Sequence, residues 1–244
     1  MIYLLLGLGV LFAAIGLIVT ENNAKYLLSG YNTMSEEERK SVDIKSYIRY
    51  FRKFHLFLGV SLFLLGSAFT YLISEVAGGL FLSTYPILAY LYFVITGRKF
   101  WKKASFKGNK AAAVILVGTL VFVVGLMGYG LKEDTLSLES DTFVFKGSYG
   151  EKLTHSEIQN IELVDQLPHI TLKTNGFGLG SVRKGHFRTI EKEVVKLILN
   201  GDQKPLILFT KTDGKKIYYS ARSTSNEDIV KEIRQILPDK VVTH

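Results

Sequence analysis

Two periodicities divide this chain. Up to Gly130 the apolar residues run together in long uncharged stretches; beyond it they alternate with polar residues or cluster in short runs between turn signals. Four stretches without a charged side chain, 2–19, 55–74, 78–97 and 111–130, are each 18 to 20 residues long, the length a helix needs to cross ~30 Å of hydrocarbon. A buried helix of a soluble protein can imitate one such stretch; four in succession predict a bundle of four transmembrane helices. Downstream, TLSLES, TFVFKGS, HITLKT, VVKLILN, LILFTKT and KKIYYSA are rich in β-branched and aromatic residues. Asn175-Gly176, Asn200-Gly201-Asp202 and Asp213-Gly214 supply turns between them, so about seven short strands are expected in a closed or nearly closed antiparallel barrel or sandwich. LTHSEIQNIELV should bridge two strands with room for a helical turn. The period then becomes helical again. Ser225 or Asn226 can cap, Glu227 and Asp228 fill a first turn, and Ile229, Ile233, Ile236 and Leu237 form one apolar stripe before Pro238, predicting a C-terminal α-helix that caps the β domain. The expected division is a transmembrane domain at 1–131 and a β domain at 132–244.

The connector between the first two spans carries its own helical signal. Ser35 stands three residues before Glu38, the spacing of a capping box, and Ile44, Tyr47, Ile48, Phe51 and Phe54 recur on one face with Lys45, Arg49, Arg52 and Lys53 on others. An amphipathic helix over 35–54, lying on the membrane surface, is predicted.

Charge refines this picture. Residues 1–131 hold 13 Lys/Arg against 6 Asp/Glu, and residues 132–244 hold 17 against 16, so nearly all of the formal net charge of +8 lies in the connectors of the first half. A basic soluble domain of the nucleic-acid-binding kind is absent, and no nucleic acid is expected as partner. Lys45, Arg49, Arg52 and Lys53 in the first connector, and Arg98, Lys99, Lys102 and Lys103 in the third, place both on the cytoplasmic side, against anionic headgroups of the bilayer. The N-terminus and the β domain then face the extracytoplasmic side. The first span lacks the basic n-region and small-residue cleavage site of a signal peptide. No cysteine is present, so disulfides and thiolate metal sites are excluded.

Within the spans no Asp, Glu, Lys or Arg occurs, and His55 stands at a boundary; an ion route through the bundle is a minor reading. Gly118, Gly125 and Gly128 suit close helix packing, and Pro86 suits a kink. The segment from TENNAKYLLSGYNTMSEEERK to FRKFHLFLGVSLFLLG, with Ser29, Gly30, Tyr31, Asn32, Thr33, Met34 and Ser35 at its centre, resembles the bacterial membrane family known as domain of unknown function 3784. That resemblance, over about residues 1–100, implies a small integral membrane module and no activity.

TNGFGLGSVRKGHFR, at 174–188, raises the possibility of a phosphate cradle. The separation of Gly180 and Gly185 suits a Walker loop, but His186 and Phe187 stand where Lys and Ser or Thr are required. Gly176, Gly178 and Gly180 give G-x-G-x-G, not the dinucleotide fingerprint, and strand follows them. A sheet corner is the better reading: a turn at Asn175-Gly176, with Gly178, Gly180 and Gly185 allowing positive φ or bulges. Arg183, Lys184 and Arg188 beside these glycines are either a solvated strand edge or an anion site for a lipid headgroup, an anionic peptide or an envelope polymer. The stretch from Asn175 to Phe187, followed by LILF, KKIYYSA and the terminal helix, resembles the bacterial pleckstrin-homology-like domain family. The resemblance implies a seven-stranded barrel or sandwich capped by a helix, used for binding or scaffolding. His55, His155, His169, His186 and His244 are scattered without metal-ligand spacing, and no G-x-S-x-G elbow occurs. The sequence therefore predicts no enzyme and no cofactor. It predicts a membrane protein displaying a binding module for a protein, peptide or envelope ligand, or else an accessory subunit of a transport or antimicrobial-peptide immunity system.

Overall fold

The computed structural model describes residues 1–101 and 107–242 and separates into two compact units, Met1–Leu126 and Met127–His244. Lys102, Lys103 and His244 lie outside the described residues.

The first unit is helical. After α1 (Ile2–Ile18) and a single turn, α2 (Ala24–Leu27), comes α3 (Glu36–Lys40), opened by a complete capping box. Glu38 N–H donates to Ser35 Oγ at 3.3 Å, and Ser35 N–H donates to the Glu38 carboxylate at 2.9 Å. The single helix expected over 35–54 is divided. Asp43 caps a new helix, α4 (Ile44–Ala68), which continues through a π-helical segment, Phe69–Ile73. Residues 44–54 are thus the first turns of the long apolar helix itself. Tyr47, Ile48, Phe51 and Phe54 are buried against other helices, while Lys45, Arg49, Arg52 and Lys53 remain exposed. Ser74 alone separates this helix from α5 (Glu75–Gly97), which runs unbroken through Pro86. α6 (Lys107–Leu131) follows. Among the described residues three helical stretches, Ile44–Ile73, Glu75–Phe100 and Lys110–Leu131, are long and apolar enough to cross a membrane, and Ile2–Ile18 is a shorter apolar helix of 17 residues. These are the lengths and compositions of a multi-pass membrane protein.

Packing in this unit rests on bare backbone and rings. α1 and α4 meet where Gly9 faces Gly59, Gly16 abuts His55 and Gly66 abuts Leu5; a Cβ at any of these would strike the other helix. Small residues allow such close approach where lipid supplies no hydrophobic drive between helices. The glycines that the sequence singled out for packing, Gly118, Gly125 and Gly128, would bring a Cβ within 4 Å of nothing among the described residues. α4 and α5 are clasped by Ser61 Oγ to Tyr85 OH at 2.6 Å and His55 Nε2 to Tyr90 OH at 3.1 Å. Around these, Tyr47, Tyr50, Phe51, Phe54 and Phe93 form a continuous ring cluster. His55 is buried at 1% exposure inside this cluster, not at a boundary.

The second unit is sheet-rich, with nine strands among the described residues where about seven were expected. A three-stranded antiparallel sheet consists of β1 (Thr135–Leu138), β2 (Thr142–Lys146) and β3 (Glu151–Thr154). A 3₁₀ turn, His155–Glu157, leads into β4 (Ile158–Val164), so LTHSEIQNIELV contributes to two strands joined by the predicted turn. Then come β5 (Ile170–Leu179), β6 (Val182–Thr189), β7 (Val194–Leu199), β8 (Leu206–Lys211) and β9 (Lys216–Ser220). Their sheet has the order β4-β8-β9-β7-β6-β5. It is not wholly antiparallel: β7 pairs parallel with β9, Leu197 opposite Tyr218 and Leu199 opposite Ser220. One face carries Ile198, Ile207, Phe209, Ile217 and Tyr219 into a core shared with Phe143, Phe145 and Leu153 of the smaller sheet. The other buries Phe187, Val195, Leu197, Leu199, Leu206, Leu208 and Tyr218. Burial on both faces is why VVKLIL and LILF read as continuous apolar runs without alternation.

α7 (Asn226–Ile236) closes the first core, with Ser225 as its N-cap. Its buried apolar side chains are Val230 and Ile233, flanked by Ile229 and Leu237, whereas Ile236 is exposed. The stripe is rotated from the expected one because Val230 lies between Ile229 and Ile233 on the inward side.

Candidate functional site

The glycine-rich stretch forms the hairpin of β5 and β6. Asn175-Gly176 is not its turn. The strand continues through both residues with a register shift between Lys173 and Asn175, and the chain reverses at Gly180-Ser181. Gly176 (φ 154°) lies directly opposite Gly185 (φ 120°). A Cβ on either would enter the partner strand's backbone, so both positions require glycine. Gly180 has φ 57° and forms the reversal; Gly178 has no positive φ and only the Lys173 side chain nearby, 3.9 Å from a built Cβ.

The three cations expected to gather beside these glycines are dispersed. Arg188 is exposed. Arg183 is half-buried, its Nε donating to Gly180 O at 3.4 Å. Lys184 is fully buried and pairs with Asp134 at 2.7 Å, its side chain 0% and the aspartate's 3% exposed. Lys184 is therefore neither a solvated edge nor a ligand-facing cation. It also donates to the carbonyl of Lys132.

That ion pair belongs to a polar joint at the end of α6. Asn200 receives Asp134 N–H on its side-chain oxygen at 2.7 Å and donates from Nδ2 to Asp134 O and Ser220 O. Arg222 donates to Leu131 O at 3.1 Å and to Asn200 O, and its backbone N–H donates to the Glu133 carboxylate at 2.7 Å. Tyr219 OH donates to Asp134 O and accepts from Leu136 N–H; burial pushes this phenol up to about 12. The Phe177 ring covers Gly130, and Gly147 leaves room for the Asp134 carboxylate where a Cβ would collide with it. Residues 130–134 are thus held to β2, β5, β6, β7 and β9 or the segments beside them by charge, hydrogen bonds and an aromatic lid. The sequence named Lys184 and Gly176 as candidate site residues and Asn200 only as part of a turn, and it named neither Asp134 nor Arg222.

Beside Asn200, a groove of about 280 Å³ opens between the β5–β6 reversal, the β4–β5 connection and the segment before β8. Leu167, Leu199 and Leu206 provide its apolar walls, and Arg183, Lys204 and Asp202 its charges. A second charged cluster lies elsewhere on the sheets. Glu151 accepts from Lys196 and Lys211, each at 2.8 Å. Burial alone would raise the Glu151 pKa, but the two ammonium groups outweigh it and hold the carboxyl below its ordinary value.

Of the connector cations, Lys45, Arg49, Arg52, Lys53 and Lys99 are exposed, while Arg98 is half-buried.

These features define a multi-pass membrane protein with a helical N-terminal region followed by a sheet-rich unit. Residues 6–101 match the family model described as Domain of unknown function (DUF3784); the match takes in most of α1 and all of α2 to α5. No curated protein and no solved structure matches the chain.

Proposed function

We propose that this chain is a four-span membrane protein that presents its sheet-rich unit on the extracytoplasmic side as a binding or scaffolding module, of pleckstrin-homology-like architecture, for a protein, peptide or envelope ligand. The observation that carries the reading is the joint at residues 130–134. Residues 130–134, near the start of the sheet-rich unit, are fixed to its sheets by a buried ion pair, an asparagine bridging two backbone segments and an arginine on Leu131 O, which ties them into the same folded body as the candidate binding surface. The groove beside Asn200, with Arg183 and Lys204 over leucine walls, offers the ligand a place. The 17 residues of Ile2–Ile18 reach the lower end of spanning lengths, ~17–25 residues, which supports counting it as the first of four spans. The cations exposed along the first turns of α4 support the assignment of sidedness. Support for the architecture comes from two sheets enclosing one core with a C-terminal helix over it.

Because the chain has no cysteine, sidedness is open to a direct test. Single substitutions Lys146→Cys and Glu37→Cys are exposed to a membrane-impermeant maleimide on intact cells. Labelling of Cys at 146 alone is expected; labelling at 37 alone would invert the arrangement. For binding, a photo-crosslinking residue at 183 or 204 should give a discrete adduct in cells that position 231 on α7 does not. Failure at both groove positions would remove the ligand site.

A further inference from the structure

The helical unit contains a cavity of about 520 Å³, within the ~300–1,000 Å³ of small-molecule sites. It runs beside α4 from Tyr47 to His55, nine residues of one helix and eight rises of 1.5 Å, or about 12 Å. Its inner end is the His55–Tyr90 hydrogen bond. Its other end is formed by Arg98, just past the last residue of α5, with Trp101, Ser29 and Gly30. Between the ends the walls are aliphatic or aromatic, among them Ile15, Val19, Phe51, Phe93 and Val94. Among the described residues no carboxylate lines this space, and Arg98 brings a fixed positive charge.

Volume, polarity and position agree. A basic and a tryptophan side chain at the end of an apolar helix belong at headgroup level, so the polar end of the cavity lies where lipid anions lie, and the apolar barrel points inward. We propose that this cavity binds a single-chain anionic amphiphile from the bilayer, its acyl chain lying along α4 toward His55 and Tyr90 and its anionic head on the Arg98 guanidinium. The site lies wholly within the helical unit and is independent of what the β unit binds. The residues Ser29 and Gly30, which open the segment SGYNTMS, acquire a role as its rim.

Trp101 is the only tryptophan of the chain and lines the site, so its emission reports occupancy in the unaltered protein. Full-length chain in phosphatidylcholine nanodiscs is titrated with a brominated fatty acid, whose bromines quench indole on contact, and in parallel with its methyl ester. Expected is saturable quenching by the acid, at least about fivefold weaker for the ester, and reversed by unbrominated fatty acid. Reversal by lysophosphatidate as well would identify the bound class as anionic single-chain lipid in general; reversal by fatty acid alone would restrict it to carboxylates. In Arg98→Gln the advantage of acid over ester should vanish, and Val94→Phe should abolish saturation by filling the barrel. Quenching that rises linearly and equally for acid and ester overturns the proposal, whatever the variants do.

Discussion

Replacing Lys184 by Met is the sharpest test of the joint at the end of α6. The ammonium is fully buried and 2.7 Å from Asp134. The other carboxylate oxygen, Oδ2, is also buried and has no hydrogen-bond partner among the described residues, so the lysine provides most of the compensation the aspartate receives. Removing one member of a buried pair leaves an uncompensated charge and costs roughly 3–5 kcal/mol, a large share of the ~5–15 kcal/mol that holds a domain together. With a urea dependence of about 1.5 kcal/mol per M, the unfolding midpoint of the β unit should fall by about 2–3 M. Pulse proteolysis of the full chain in mild detergent, followed through a C-terminal tag, reads that midpoint; tryptophan emission would not, since Trp101 lies in the other unit. Lys184→Met with Asp134→Asn removes both charges and should recover about 1–3 kcal/mol relative to Lys184→Met alone. A loss under about 1 kcal/mol for the single variant, or a double variant no more stable than it, would refute the reasoning.

Gly185→Ala places a methyl into the backbone of Asn175 at a φ of 120° and should cost about 2 kcal/mol or more, whereas Gly178→Ala, close only to the Lys173 side chain, should leave the same midpoint within ~0.5 kcal/mol. Glu151 has its folded pKa held below the ordinary 4.5, so its contribution is complete above that value and is lost as pH falls through the lower folded value. Glu151→Gln should therefore flatten the acid side of the stability–pH curve below about pH 4.5, and an unchanged acid limb would rule out this cluster as its source. Tyr219→Phe strips the partner from Leu136 N–H and a donor from Asp134 O and should lower stability by ~1–3 kcal/mol in the same proteolysis assay.

What was legible in the sequence follows from the range of each interaction. The capping box at Ser35, the α4 and α5 spans and the helix beginning after Ser225 are local, set by residues three or four apart, and the pattern reveals them. Asn175-Gly176 reads as a turn by the same local logic, but Gly185 opposite Gly176 makes it an in-strand bulge. The two glycines are equally distant from 180–181, a symmetry that marks the reversal. Lys184 looked like an accessible cation because its neighbours Arg183 and Arg188 are less buried and nothing nearby in the chain signals Asp134, 50 residues upstream. The parallel pairing of β7 with β9 was equally out of reach. Continuous apolar runs state that both faces are buried, not which strand lies alongside. The 35–54 helix divides because Asp43 begins a new one, a second cap that the stronger Ser35 signal obscured.

The central place of β9 has a consequence for biosynthesis. It separates β7 from β8 in the sheet, so the two strands made before it have no direct pairing with one another. A nascent chain halted before residue 216 would expose two apolar, unpaired borders, long after its membrane helices had left the ribosome. The large sheet can be completed only when its last-made strand arrives at its middle, so holdase protection of the emerging half should matter more here than for a domain built hairpin by hairpin.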